Sequence, residues 1–112
     1  MSKQIVFNYE GKDYTLEYNR DAIKYMENRG FSLEKFTDAP ITMLDIAFEA
    51  LFLKNHRNIS SAKVQEILKE FNDKRGLISA INDMLGDSYT ELLGDPEDKE
   101  EGEGKNISWK TV

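Results

Sequence analysis

The chain contains no cysteine. Disulfides, thiolate metal sites and cysteine nucleophiles are therefore excluded outright. There is a single histidine, His56, and the local sequence "LKNHRN" supplies neither a partner nucleophile nor further metal ligands. Apolar runs are short: none approaches the roughly 18 residues needed to span a bilayer, and the opening "MSKQIVFNYEGK" lacks the apolar stretch of a signal peptide. Phosphate-cradling glycine loops are also missing. Neither G-x-x-x-x-G-K-[ST] nor G-x-G-x-x-G occurs, and "GEGK" at residues 102–105 lies in a polar stretch with no strand before it. The last absence is basic charge. With 15 Lys and Arg against 21 Asp and Glu, the net charge of −6 has the wrong sign for a protein that neutralises phosphates. The expectation is a cytoplasmic protein that meets other proteins and neither nucleic acid nor membrane, in which the N-x-S sequons at Asn58 and Asn106 are chance matches. No cofactor, metal or catalytic residue is expected.

What is present suits one domain. At 112 residues the chain can build a single core, and six Phe, five Tyr and one Trp supply the bulk for it. Ile5, Phe7 and Tyr9 alternate with Val6 and Asn8. After the turn "EGKD", Tyr14, Leu16 and Tyr18 alternate with Thr15 and Glu17. Two runs of period two around Gly11, which supplies a positive φ, predict an antiparallel hairpin whose apolar face must be covered by helices.

Helical rhythm follows. Asn19 is the expected N-cap of a short helix that places Ala22, Ile23 and Met26 on one face and stops at Gly30. "FSLEKFTDAP" reads as a connector with Phe31, Leu33 and Phe36 turned inward, and Thr37 or Asp38 as the cap of the next helix. From Pro40 to about residue 55, "PITMLDIAFEALFLKN" is apolar nearly all round, with a narrow polar stripe of Thr42, Asp45 and Glu49; such a helix is buried centrally or covered by a partner. Asp45 and Glu49 are one turn apart and read as that solvated stripe, not as an acid–base pair. His56 closes the helix, where an imidazole interacts favourably with the last carbonyls.

"SSAKVQEILKEFN" predicts an amphipathic helix with a Ser cap and Val64, Ile67, Leu68 and Phe71 on one face. A last helix from Lys74 to Leu93 turns Leu77, Ile78, Ile81, Met84, Leu85 and Leu92 inward, with Gly86 a point of possible interruption. The fold class is α+β: an N-terminal antiparallel β-hairpin packed on a bundle of about four helices. The folded domain is 1–93, and 94–112 is an acidic flexible tail. Residues 95–112 hold six acids against three bases, half of the chain's net charge, and read as disordered alone. The last six residues, "ISWKTV", are apolar, aromatic and β-prone, so Trp109 is a candidate for a linear interaction element.

"YEGKDYTLEYNRDAIKYMENRGF" followed by "ITMLDIAFEALFLKNHRNIS" resembles the tail assembly chaperones of long-tailed bacteriophages and prophages of Gram-positive bacteria. The resemblance rests on a hairpin ending in T-L-E-Y-N-R, a helix ending in Gly-Phe, and F-x-A-L-F-x-x-x-H from Phe48 to His56, and covers about residues 5–60. It implies a non-catalytic assembly factor that coats the long helical tape measure protein and recruits tail tube subunits. It also implies that Tyr14, Leu16 and Tyr18 are core, and that Met43, Phe48, Leu51 and Phe52 are divided between core and a partner-binding groove. The hairpin would form one wall of that groove or pair edge to edge with another copy. Members of the family often have a longer product made by ribosomal frameshifting, for which Gly104-Lys105-Asn106 is a suitable coding site. The alternative is an acidic decoy that mimics nucleic acid against a host defence protein; the interspersed Lys and Arg of residues 1–93 count against it.

Overall fold

The computed structural model describes residues 3–94. Strands β1 (Ile5–Tyr9) and β2 (Lys12–Leu16) are followed by helices α1 (Arg20–Asn28), α2 (Leu33–Asp38), α3 (Pro40–Ala50), α4 (Ser61–Glu70) and α5 (Lys74–Leu93). The architecture is the expected α+β arrangement of an N-terminal hairpin on helices.

The strands pair antiparallel, with Ile5 opposite Leu16, Phe7 opposite Tyr14 and Tyr9 opposite Lys12. The two-residue turn places both Glu10 (φ 53°) and Gly11 (φ 81°) in the left-handed region. This turn class matches the natural twist of the strands. Asn8 braces it, accepting from the Gly11 N–H at 3.2 Å and donating to Asp13 at 2.9 Å. Tyr14, Leu16 and Tyr18 are buried, as their alternation requires.

Side-chain caps mark four of the helices. Asn19, Ser32, Ser60 and Asp73 accept from the backbone N–H groups of Ala22, Lys35, Lys63 and Gly76, satisfying donors that have no partner within the helix. The Ser32 cap starts a helix that the sequence reading had as a connector. α2 has only six residues, too few for a visible period, but it turns Phe36 into the core. Thr37 and Asp38 consequently end α2 instead of capping α3: the Thr37 hydroxyl donates to the Leu33 carbonyl at 3.1 Å. α3 starts from Ala39 without a side-chain cap and has Pro40 in its first turn, where the missing N–H is not needed.

α3 is the central helix, packed against α1, α2, α4 and α5. It ends sooner than the apolar run suggests. Leu51, Phe52 and Leu53 donate to the carbonyls three residues back, at 3.1, 3.1 and 3.2 Å, and His56 closes on Phe52 at 2.7 Å. This tightened turn carries residues 51–56 against β2. At the other end of the chain α5 runs unbroken through Gly86; glycine in a helix interior is unfavourable by only about 1 kcal/mol, and Ile81, Met84 and Leu85 anchor that stretch in the core. Among the described residues no helix is long and apolar enough to cross a membrane.

Candidate protein-binding surface

The hairpin lies over the end of α4 and the turn that follows α3. Phe7 stacks on Tyr14 (5.1 Å between ring centroids) and meets Phe71 edge-on at 5.2 Å. Tyr14 meets Phe52, Phe52 meets Phe48, and Phe48 meets Phe71, so the rings form a continuous aromatic cluster. Edge-to-face contacts of this kind favour one arrangement beyond what burial alone provides. The expected division of Met43, Phe48, Leu51 and Phe52 comes out unevenly. Phe48, Leu51 and Phe52 are 0% exposed and belong to the core of the described chain, so they offer no surface to a partner in this conformation. Met43 alone is partly exposed. Trp109 lies outside the described residues.

The outer edge of β2 is sealed by the turn after α3. His56 Nε2 accepts from the Thr15 N–H at 3.1 Å, Asn55 donates to the Thr15 carbonyl at 3.2 Å, and the Leu51 carbonyl accepts from the Glu17 N–H at 3.2 Å. His56 thus acts as a hydrogen-bond acceptor for a strand rather than as a charge at a helix end. Burial, and secondarily Lys12, hold its pKa below the ordinary histidine value, which keeps the accepting nitrogen unprotonated.

Glu17 is the feature the sequence hides. In an alternating strand it belongs to the polar face, yet it is 5% exposed. Asn55 donates to its carboxylate at 2.9 Å, Gln4 at 3.2 Å, and Lys54 pairs with it at 3.2 Å. The Asn55 bond, then the Lys54 and Gln4 bonds, lower its pKa against the opposing effect of burial. A buried charge held this way is satisfied and structural. The only foreshadowing signal is the polar triplet Lys54-Asn55-His56 directly after an apolar run.

A second polar cluster fastens the hairpin tip to α4. The Lys63 ammonium pairs with Glu10 at 2.7 Å and Glu66 at 3.2 Å, and the Tyr9 hydroxyl donates to Glu66 at 2.6 Å. Accepting that bond holds Glu66 below the usual carboxylate range, and donating it pushes the Tyr9 hydroxyl up to about 12. The cluster lies at the surface, with Glu10 and Glu66 exposed and Tyr9 and Lys63 half-buried, and is mixed in sign. Asp45 is exposed as expected, while Glu49 accepts from the Ser61 hydroxyl at 2.8 Å. Among the described residues no three His, Asp or Glu side chains are grouped to hold a metal ion.

Two of the shallow clefts among the described residues have apolar walls that bear on a partner. One, of about 340 Å³, lies between the α2–α3 corner and the start of α5 and is lined by Phe36, Thr37, Pro40, Arg75, Ile78 and Asn82, among others. Ile41, next to Pro40, is 72% exposed. The other, of about 240 Å³, lies between β1 and the end of α4, lined by Phe7, Asn8, Tyr9, Ile67, Glu70 and Phe71. A model of a domain of unknown function, DUF5055, matches residues 1–112. The chain belongs to the DUF5055 family. No curated protein and no solved structure matches it.

Proposed function

We propose that this DUF5055 protein is a tail assembly chaperone: a non-catalytic factor of the host cytoplasm that binds an apolar helical stripe of a tape measure protein and helps recruit tail tube subunits. The observation that carries the reading is the cleft at the α2–α3 corner. Phe36, Pro40 and Ile78 line it, the isoleucine at 41 stands in water beside it, and Met43 is partly open on the same helix. An apolar side chain held out on the same exposed side of α3 as the polar Thr42 and Asp45, while Leu44, Ala47, Phe48 and Ala50 are buried, is what a helix-in-groove contact uses as an anchor. Arg75 at the rim can meet an acid on the bound helix. The resemblance of residues 5–60 supplies the identity of that helix.

Co-expression with the tape measure protein of the same phage or prophage tests this. The expected result is a soluble complex that survives size exclusion at moderate salt, because apolar contacts are not screened. Ile41→Asp should leave the thermal melt unchanged and weaken the complex at least tenfold. A tape measure protein equally insoluble with and without the chain would overturn the reading. Binding to a defence nuclease that fades steeply with salt would replace it by the acidic decoy.

A further inference from the structure

We propose that the C-terminal segment Ile107–Val112 adds to the outer edge of β1 as a third strand, with Trp109 seated in the cleft between β1 and the end of α4. In the observed register Phe7, Tyr9 and Ile5 form the inner face, and Val6 and Asn8 lie at positions whose backbone groups turn away from β2. On β2 the corresponding groups of Thr15 are taken by His56 and Asn55. On β1, among the described residues, no donor or acceptor meets those of Val6 and Asn8. An edge open in this way is a template for strand addition.

The occupant is chosen by pattern and reach. In "ISWKTV", Ile107 and Trp109 share a face with Thr111, opposite Ser108, Lys110 and Val112, so the two largest apolar groups fall on one side. Opposite β1, the apolar face meets the cleft lined by Phe7, Tyr9, Ile67 and Phe71, where an indole finds aromatic neighbours. The chain can reach it. Lys3, just before β1, pairs with Asp87 of α5 at 3.3 Å and shares a surface depression with Thr90 and Glu91, so α5 ends close to the start of β1. The 12 residues 95–106 can span about 40 Å, more than twice the roughly 17 Å of a five-residue strand. Attachment through so short a tether gives the segment an effective concentration in the millimolar range, which a second copy at ordinary dilution does not match.

Trp109 is the only tryptophan and the chain has no cysteine, so the 112-residue chain carries its own probe. The expected native emission is blue-shifted and shielded from acrylamide relative to a synthetic peptide of residues 104–112, and independent of protein concentration. A nitroxide on Val6→Cys, at a site 66% exposed, should quench Trp109 at least twofold more than one on Glu34→Cys in α2. Emission and quenching equal to those of the peptide would overturn the proposal. So would shielding that grows with concentration, which would make the occupant a second copy, or quenching no stronger from position 6 than from position 34.

Discussion

The two edges of one hairpin are treated in opposite ways. β2 leans on the turn that follows α3, and its outward N–H and C=O groups find Leu51, Asn55 and His56. On β1 the outward N–H and C=O groups of Val6 and Asn8 meet no partner among the described residues, and the Val6 side chain stands in water. A two-stranded ribbon is marginal by itself, and the closed edge explains how this one is held: an aromatic cluster beneath and fixed polar partners alongside. The difference teaches that the residues read as a binding groove, Phe48, Leu51 and Phe52, serve to build the closed edge, and that the surfaces left for partners lie elsewhere.

The largest expected effect comes from breaking the closed side at its base. Phe48→Ala removes a fully buried ring that touches Phe52 and Phe71 and should destabilise the fold by about 3–5 kcal/mol. Urea unfolding followed by circular dichroism measures it. A shift below about 1 kcal/mol would mean that the cluster relaxes around the gap and does not hold the hairpin.

Glu17→Gln tests the polar seal above that base. The substitution keeps the shape but removes the charge that Lys54, Asn55 and Gln4 converge on, with an expected loss of about 2 kcal/mol. Because the folded pKa of Glu17 is lowered, its contribution is fully present above the ordinary carboxylate value near 4.3 and disappears as pH falls through the folded value. The wild-type protein should therefore lose stability more steeply than Glu17→Gln on acidification from about pH 5. Parallel curves for the two proteins would remove Glu17 from the acid response.

How much of this was legible beforehand follows from chemistry. The hairpin and its buried face were readable because alternation and Gly11 are local signals; the register was not, because the turn is the two residues Glu10-Gly11, with Lys12 and Asp13 already in β2, and not the four of "EGKD". α1 and α4 were readable from their caps and periods, and α5 from its period alone. α2 was not, because six residues show no period. The seal was not, because a glutamate in an alternating strand reads as polar face until the distant Asn55 covers it. α3 was readable as apolar all round, but its centrality, and hence the assignment of Phe48 and Phe52 to core, depends on four other helices arriving around it.

His56→Ala acts on the same seal more gently. It removes the acceptor for the Thr15 N–H and should reduce stability by about 1 kcal/mol at pH 8. The folded pKa of His56 is lowered by burial and by Lys12. Protonation therefore opposes folding, and the stability it contributes is complete above the ordinary value near 6.5 and lost as pH falls below it. The variant should lack the decline that the wild type shows between about pH 6.5 and 5, leaving the Glu17 component at lower pH. Urea titrations at half-unit pH intervals separate the two.

The smallest effect belongs to the open edge, where Val6→Lys sharpens the contrast. Val6 is 66% exposed and faces Thr15 across a pair that exchanges no backbone hydrogen bonds. Losing that side-chain contact removes a few tenths of a kcal/mol. The backbone of β1 keeps its bonds to β2, and a lysine stem can still lie along the strand. The expected change in stability is within about 0.5 kcal/mol in either direction, several-fold less than for Glu17→Gln on the sealed side. A loss above about 1 kcal/mol at Val6 would show that the outer face of the hairpin is packed against a further group in solution, a covering distinct from the strand proposed along the edge of β1.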